Sequence, residues 1–148
     1  MTTVGRAVTD DGYEIVYADS GGDQPVVWLH GISEDRSSWE PVTGQLAPEL
    51  RCIRIDFRGH GESSHRGPYE VTGLVSDLAA VVGATCTEPP IVVGHSLGGM
   101  VATIGAATGL TGPAVCIDQP LRLRTFSELV HSLAPRLQIG RASCRERV

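Results

Sequence analysis

The chain has 148 residues, of which 41% are hydrophobic and 20% are charged, and its net charge is −5. This composition is typical of one globular domain that can bury a core, and it excludes the disordered and fibrous classes. Neither a signal peptide nor a long apolar span is visible, so we expect a cytoplasmic protein with no membrane partner. The acidic balance argues against nucleic acid and favours a small-molecule substrate, while the oligomeric state is not indicated.

The four cysteines are far apart in the sequence and form no CxxC pair: Cys52, Cys86, Cys116 and Cys144. This spacing predicts neither a zinc site nor a disulfide framework, and no metal or cofactor is expected. Cys52 and Cys116 fall in apolar runs, which favours buried packing positions for both.

The first half of the chain alternates between strand and helix patterns. AVTDDGYEIVYADSGG predicts a hairpin around Asp11-Gly12, a dipeptide suited to the paired positive φ angles of a tight turn. PVVWLHG predicts a buried strand near 25–29. SSWEPVTGQLAPEL then predicts a short helix with Ser37 or Ser38 as its N-cap and with Trp39 and Val42 on one face.

The same alternation continues to about residue 118. Strands are predicted near 52–56, 90–94 and 114–118, with helices over VTGLVSDLAAVVGA and after the third of the four strands. Repeated strand-helix-strand units indicate an α/β fold, a three-layer sandwich around a mostly parallel sheet. In such sheets ligands bind at the carboxyl ends of the strands.

One of these strand ends carries the motif Gly94-His95-Ser96-Leu97-Gly98, which matches the pattern GxSxG. The pattern alone is weak, because a glycine-rich turn can contain a serine by chance. Here a predicted strand enters it and a predicted helix leaves it, which is the setting of a nucleophilic serine at a sharp turn. Ser96 is therefore the predicted nucleophile. The N–H of Leu97, at the start of the helix, is a predicted oxyanion donor.

His30-Gly31 ends an earlier predicted strand, where a second oxyanion donor is expected. We predict the backbone N–H of Ile32 for this role. His30 itself has two interpretations, a catalytic base or a structural histidine that fixes the loop by hydrogen bonding. The structural interpretation is favoured, because the base should approach Ser96 from elsewhere.

Three segments in series, VVWLHGISEDRSSW, IRIDFRGHGESS and VVGHSLGGMVA, resemble the α/β-hydrolase superfamily over about residues 12–120. The resemblance implies a Ser-His-Asp or Ser-His-Glu triad in the chain order serine, acid, histidine. It also implies that Arg58 and His60 shape a loop and have no catalytic role. An aspartate at the position of Ser96 would have indicated a dehalogenase or an epoxide hydrolase.

The rest of a triad is harder to find in this chain. Asp118, at the end of the fourth predicted parallel strand, is a candidate acid, although it is also suited to a helix cap or a loop anchor. The histidine downstream of Ser96 is His131, in a segment predicted as an amphipathic helix, and it precedes the strands that should present a base. We therefore expect the triad histidine to lie beyond the chain end and this chain to be inactive.

Three segments are expected along the chain. Residues 1–120 form the N-terminal part of the hydrolase domain, and residues 121–138 begin a cap or lid. The last ten residues, IGRASCRERV, match a translated sequencing adapter, so residues 139–148 are expected to be a non-native tail. A natural basic tail is the alternative.

The functional interpretation is a serine hydrolase of an ester or a similar acyl compound. Perhydrolases and carbon–carbon bond hydrolases on this scaffold keep the same serine and stay as alternatives. A non-catalytic ligand-binding protein of the same fold is the alternative outside enzymes.

Overall fold

A computed structural model describes residues 1–118 of the chain. These residues form a sheet of six strands in the order β1-β2-β4-β3-β5-β6. The strands are β1 (Thr3–Val8), β2 (Glu14–Asp19), β3 (Gln24–Leu29), β4 (Leu50–Ile55), β5 (Ile91–His95) and β6 (Ala114–Ile117). The α-helices of this part are α1 (Glu40–Thr43), α2 (Val71–Thr85) and α3 (Leu97–Thr108). The predicted cap over 121–138, the predicted tail over 139–148 and His131 lie outside the described residues.

The hairpin at the start of the chain is confirmed, but its turn differs from the predicted one. Strands β1 and β2 pair antiparallel with Val8 opposite Glu14, so five residues form the connection. Gly12 has a φ of 80°, whereas Asp11 does not have a positive φ. The predicted paired positive φ angles are therefore wrong. The wider turn is closed by the side chain of Thr9, which accepts a hydrogen bond from Tyr13 N at 2.8 Å.

The four predicted parallel strands are confirmed. β3 pairs in parallel with β4 on one side and with β5 on the other, and β5 pairs in parallel with β6. In the register between β3 and β5, Leu29 lies opposite Gly94. The loops that follow these two strands therefore leave the sheet side by side at its carboxyl edge, where ligands bind in folds of this class.

The helical segment after β3 begins earlier than predicted. Its first turn is a 3₁₀ helix over Arg36–Trp39 with Asp35 as N-cap, because the Asp35 carboxylate accepts a hydrogen bond from Ser37 N at 2.7 Å. The predicted caps, Ser37 and Ser38, are wrong, since an aspartate just upstream takes that role. Trp39 is buried, but Val42 in α1 is 45% exposed, so this element buries one large side chain.

The sheet is covered on both faces, which confirms the three layers. One face of the central strands packs Val27, Leu29, Ile53 and Ile55 against α2 and α3. On the opposite face Trp28 packs on Trp39, with their ring centroids 5.1 Å apart. This alternation of buried side chains follows from the two-residue period of a strand. Within residues 1–118, no helix is both long and apolar enough to cross a bilayer.

Candidate functional site

Ser96 occupies the sharp turn between β5 and α3. Its backbone has φ 48° and ψ −111°, and its N–H donates to the carbonyl oxygen of Ile117 on β6 at 2.9 Å. Non-glycine residues rarely adopt positive φ, and such conformations persist only where the surroundings impose them. The strained turn predicted for Ser96 is confirmed, and the serine is half-buried.

Glycines on both sides of Ser96 make this turn possible. A Cβ atom on Gly94 would lie 2.2 Å from the carbonyl oxygen of Gly98, so strand and helix meet backbone to backbone. A Cβ atom on Gly98 would lie 2.3 Å from the carbonyl oxygen of Leu29, at the end of β3. Because both obstacles are main-chain atoms, no rotamer change can relieve them. The first turn of α3 therefore presses directly on the end of β3.

The two predicted oxyanion donors lie on these adjoining segments. Leu97 is the first residue of α3, where backbone N–H groups have no partner within the helix. Ile32 follows β3 by three residues, and its side chain is 71% exposed. The register of β3 and β5 brings both segments to the same edge of the sheet. Their role as a pair of oxyanion donors stays a prediction.

His30 is fully buried and is bonded to backbone at both ring nitrogens. Nδ1 lies 2.7 Å from the Gly31 carbonyl oxygen, and Nε2 accepts from Phe57 N at 3.1 Å. Together these contacts require a neutral ring with its proton on Nδ1. Burial lowers the pKa of His30, which favours the same neutral form. The geometry fits the structural interpretation of His30.

The loop after β4 contains the two other residues expected to be structural. Arg58 is 1% exposed and donates from Nε to Asp77 on α2 at 2.8 Å and from Nη1 to Asp11 at 2.9 Å. Its guanidinium carbon also lies 3.9 Å from the ring centroid of Tyr13. His60 places Nε2 2.7 Å from the Ile32 carbonyl oxygen and Nδ1 3.1 Å from that of Arg58. Both side chains thus hold neighbouring segments together.

Asp118 directly follows β6 and is the last residue that the structure describes. It is exposed and has a φ of 53°. Because Ile117 lies opposite His95 in the pairing of β5 with β6, Asp118 leaves the sheet beside Ser96. Its role as the triad acid stays a prediction.

The structure adds a contact that the sequence interpretation missed. Glu34, in the loop after β3, accepts a hydrogen bond from Gly31 N at 2.8 Å and lies 3.1 Å from Nδ1 of His95. It therefore joins the loop that carries Ile32 to the last residue of β5, which directly precedes Ser96. A carboxylate three residues after a turn glycine was the available signal, and the strand order was needed to interpret it.

A second set of contacts that the sequence did not indicate lies in the same region. Asp56, at the end of β4, is fully buried and accepts hydrogen bonds from Arg36 N at 2.7 Å and from Glu62 N at 2.9 Å, and it pairs with the Arg36 guanidinium. The two residues that its carboxylate contacts belong to the segments after β3 and after β4. This network fixes the loops that border the site.

Metal-binding geometry is absent from the described part of the chain, where no three His, Cys, Asp or Glu side chains are grouped to hold an ion. Cys52 is buried as predicted, but Cys116 is only half-buried. Its thiol lies 3.1 Å from the Thr103 hydroxyl of α3. β6 is an edge strand of the sheet formed by the described residues, so Cys116 is covered by a neighbouring strand on one side only.

Comparison with known proteins places this geometry in a family. A model described as the alpha/beta hydrolase family matches residues 26–145, which is most of the chain. The chain belongs to the alpha/beta hydrolase family. Lipase LipV of Mycobacterium tuberculosis is 35% identical to this family member over 105 residues, which cover 66% of the chain and 40% of LipV.

Solved structures of the family agree with the fold. The esterase RhEst1 of Rhodococcus sp. ECU1013 superposes with a TM-score of 0.68 at 36% identity, over 78% of this chain and 46% of RhEst1. A thermophilic esterase of Thermogutta terrifontis gives a TM-score of 0.73 at 28% identity, over 81% of this chain and 47% of that esterase. The chain thus spans about half the length of these two structures. It is a hydrolase-family chain with the family's α/β sheet.

Proposed function

We propose that this family member is a serine hydrolase of carboxylic esters or similar acyl compounds, with Ser96 as the nucleophile. The observation that carries the proposal is the turn at Ser96, which holds a serine at positive φ between β5 and the first residue of α3. Maintaining this backbone costs roughly 1–3 kcal/mol, an expense that functional sites often carry. The names of LipV and of the two esterases support the substrate class.

In the proposed reaction a base removes the Ser96 hydroxyl proton while Oγ attacks the carbonyl carbon of the ester. The carbonyl oxygen becomes an oxyanion that accepts hydrogen bonds from Ile32 N and Leu97 N. Collapse of this intermediate breaks the bond to the alcohol, which leaves with the proton held by the base. Water then attacks the acyl-enzyme, releases the acid and restores Ser96.

We propose that the base for this reaction lies outside residues 1–118. His30 uses both ring nitrogens on backbone groups, and both ring nitrogens of His60 lie against carbonyl oxygens. Within the described residues, no histidine is hydrogen-bonded to Ser96. His131 lies outside the described residues, and the sequence predicts that it precedes the strands that should present a base, so we expect no turnover by the 148-residue chain alone. Asp118 is the proposed acid, with a residue further along the complete protein as the alternative.

The test compares the 148-residue chain and the complete protein that contains it in the hydrolysis of p-nitrophenyl butyrate. The complete protein should turn over, its Ser96→Ala variant should lose at least about three orders of magnitude in kcat, and the chain alone should match that variant. Ser38→Ala is the matched control, because Ser38 is an exposed serine bonded only within its own helical turn. Full activity in Ser96→Ala would overturn the nucleophile assignment.

The same assay separates the remaining alternatives. A ligand-binding protein of this fold would show no Ser96-dependent turnover in any length of the chain. A perhydrolase would add Ser96-dependent peracid formation when hydrogen peroxide is supplied. A carbon–carbon bond hydrolase would keep Ser96 dependence but prefer a ketone substrate over the ester.

A further inference from the structure

The contact between Glu34 and His95 joins two loops that must act together. Glu34 and His95 are 61 residues apart in sequence, and each side chain is about one third exposed. A Cβ atom on Gly31 would lie 2.9 Å from Nδ1 of His95 and 3.2 Å from Oε2 of Glu34. The backbone of the loop after β3 thus runs against the His95 ring, with the Glu34 carboxylate beside both.

The same loop is held from its other side by two histidines. The Gly31 carbonyl oxygen lies 2.7 Å from Nδ1 of His30 and accepts from Glu34 N at 3.3 Å. Because a trans peptide is planar, fixing this carbonyl also fixes the direction of the Ile32 N–H in the same peptide unit. The next carbonyl, that of Ile32, lies 2.7 Å from Nε2 of His60. The orientation of the peptide is therefore set by His30 and His60.

Orientation alone does not set how far this peptide lies from Ser96. That distance depends on what joins the loop to β5 and its turn. Gly98 gives one such contact through its packing on the end of β3. The direct polar link is the Glu34 carboxylate, which accepts from Gly31 N and contacts His95, the residue before Ser96.

We infer that Glu34 is a positioning residue, which holds the loop of Ile32 at the correct distance from the turn of Ser96 through its contact with His95. The inference rests on the proposed function and adds a residue to its machinery. Oxyanion donors act only within a narrow range of about 2.7–3.1 Å from the developing charge. A displacement of about 1 Å can cost as much as about a hundredfold in rate.

The electrostatics of the contact are consistent with this role. The hydrogen bond from Gly31 N keeps the pKa of Glu34 below its usual value despite partial burial, with a further contribution from His95. Glu34 is therefore ionised at neutral pH and accepts both contacts. His95 makes no hydrogen bond to Ser96 among the described residues, so the pair acts on the site through the positions of two loops.

The kinetic test uses the complete protein and four variants: Glu34→Ala, Glu34→Gln, His95→Ala and the double variant of both alanines. Rates are divided by the number of Ser96 sites titrated with a fluorophosphonate, which removes any effect of misfolded protein. Glu34→Ala should lower kcat about tenfold with little change in KM, because an oxyanion donor acts in the transition state. Glu34→Gln can place its amide oxygen where Oε2 accepts from Gly31 N and from Nδ1 of His95, so it should recover most of kcat.

The double variant and a control complete the design. Glu34→Ala should add little to His95→Ala, because both changes remove the same link. Glu14→Ala is the matched control, since Glu14 is an exposed acid on β2 whose side chain pairs with Arg6 and not with either loop. The inference would be overturned if Glu34→Ala kept the wild-type kcat. It would also be overturned if Glu34→Ala and Glu34→Gln lost equal activity and this loss added to that of His95→Ala.

Amide hydrogen exchange tests the link without relying on turnover. The Gly31 amide should be protected in the wild type and in Glu34→Gln, and should exchange at least about tenfold faster in Glu34→Ala once its acceptor is gone. Unchanged protection would contradict the contact. Failure of the proposed function would give a different result, because the turnover of the wild-type protein would then not depend on Ser96.

Discussion

Two loops at the same edge of the sheet are built by different means. The turn at Ser96 is held by main-chain contacts, with Gly94 against Gly98 and Gly98 against Leu29. The loop after β4 is held by the ion pairs of the buried Arg58, with the buried Asp77 on one side and the half-exposed Asp11 on the other. Backbone packing keeps the turn at Ser96 rigid. The ion pairs of the loop after β4 stabilise the fold only while every charged partner is present.

Because the two loops are held differently, mutations in them should differ in their effects on folding stability and on the position of the serine. Loss of Arg58 in the charged loop should act on folding stability, because its guanidinium is bonded to Asp77 and Asp11 and not to the serine. Changes at the glycines around Ser96 should act on stability and on the position of the serine together. Each prediction below tests one side of that contrast.

The largest expected effect is in the charged loop. Arg58→Met should lower the free energy of unfolding by about 3–5 kcal/mol, because it leaves the buried Asp77 without its cation. Arg6→Met is the control, since the Arg6–Glu14 pair is about half exposed and should contribute about 0–1 kcal/mol. Urea unfolding measures both. Adding Asp77→Leu to Arg58→Met should recover part of the loss, and failure to recover any would argue against an uncompensated charge as its cause.

A smaller loss of stability is expected at the serine turn. Gly98→Ala should cost about 1–3 kcal/mol or more, since its Cβ would press on a main-chain carbonyl that cannot rotate away. In the complete protein the same variant should also lower kcat, because Leu97 precedes the displaced residue. Circular dichroism melts and kcat per titrated site measure the two effects. A Gly98→Ala protein with wild-type stability and kcat would show that the turn is not held as described.

The third prediction concerns His30, which joins the end of β3 to the loop after β4 by accepting a hydrogen bond from Phe57 N. Its folded-state pKa is lowered by burial, so protonation favours the unfolded chain. The stability from neutral His30 is complete above about pH 6.5, its usual pKa, and is lost as the pH falls below that value. Between pH 7.5 and 5.5 the loss should approach about 1.4 kcal/mol at most.

The control for this pH effect is His30→Asn, which keeps a donor near the position of Nδ1 and does not titrate. Urea unfolding at both pH values should show a steeper decline for the wild type than for the variant, even though the variant is less stable at pH 7.5. Parallel declines in the two proteins would mean that another group causes the loss.

The smallest expected effect is a stabilisation by replacing a glycine that belongs to neither loop. Gly83 lies inside α2, and a Cβ atom there would meet nothing within 4 Å. Gly83→Ala should raise the free energy of unfolding by about 0.5–1 kcal/mol through helix propensity. Thermal melts compare it directly with Gly98→Ala. A destabilised Gly83→Ala would show that α2 packs more tightly than described.

The sequence was sufficient for the features that depend on local chemistry. The parallel strands follow from apolar runs, and the turn at Ser96 follows from glycines at the two positions where a side chain would meet main-chain atoms. Both signals lie within a few neighbouring residues. Their physical cause is steric or hydrophobic, and such causes are visible in residue type and spacing.

Some of the features that were missed are local choices between competing side chains, and others depend on residues far apart in the chain. The N-cap at Asp35 and the wide turn at Gly12 were decided by competing side chains that propensity alone cannot rank. The contacts of Glu34 with His95 and of Asp56 with Arg36 require knowing which strands are neighbours. Strand order is a property of the fold, so these side chains could be assigned only from the structure.

The assignment of Ser96 as nucleophile has its most direct test in the site of covalent labelling. The complete protein is treated with a fluorophosphonate and digested, and the modified peptide is sequenced by mass spectrometry. One adduct per chain is predicted, on the Ser96 hydroxyl, because the proposed base and the two proposed oxyanion donors would activate that oxygen alone. An adduct on another residue, or hydrolysis of ester by a protein whose Ser96 stays unmodified, would contradict the assignment.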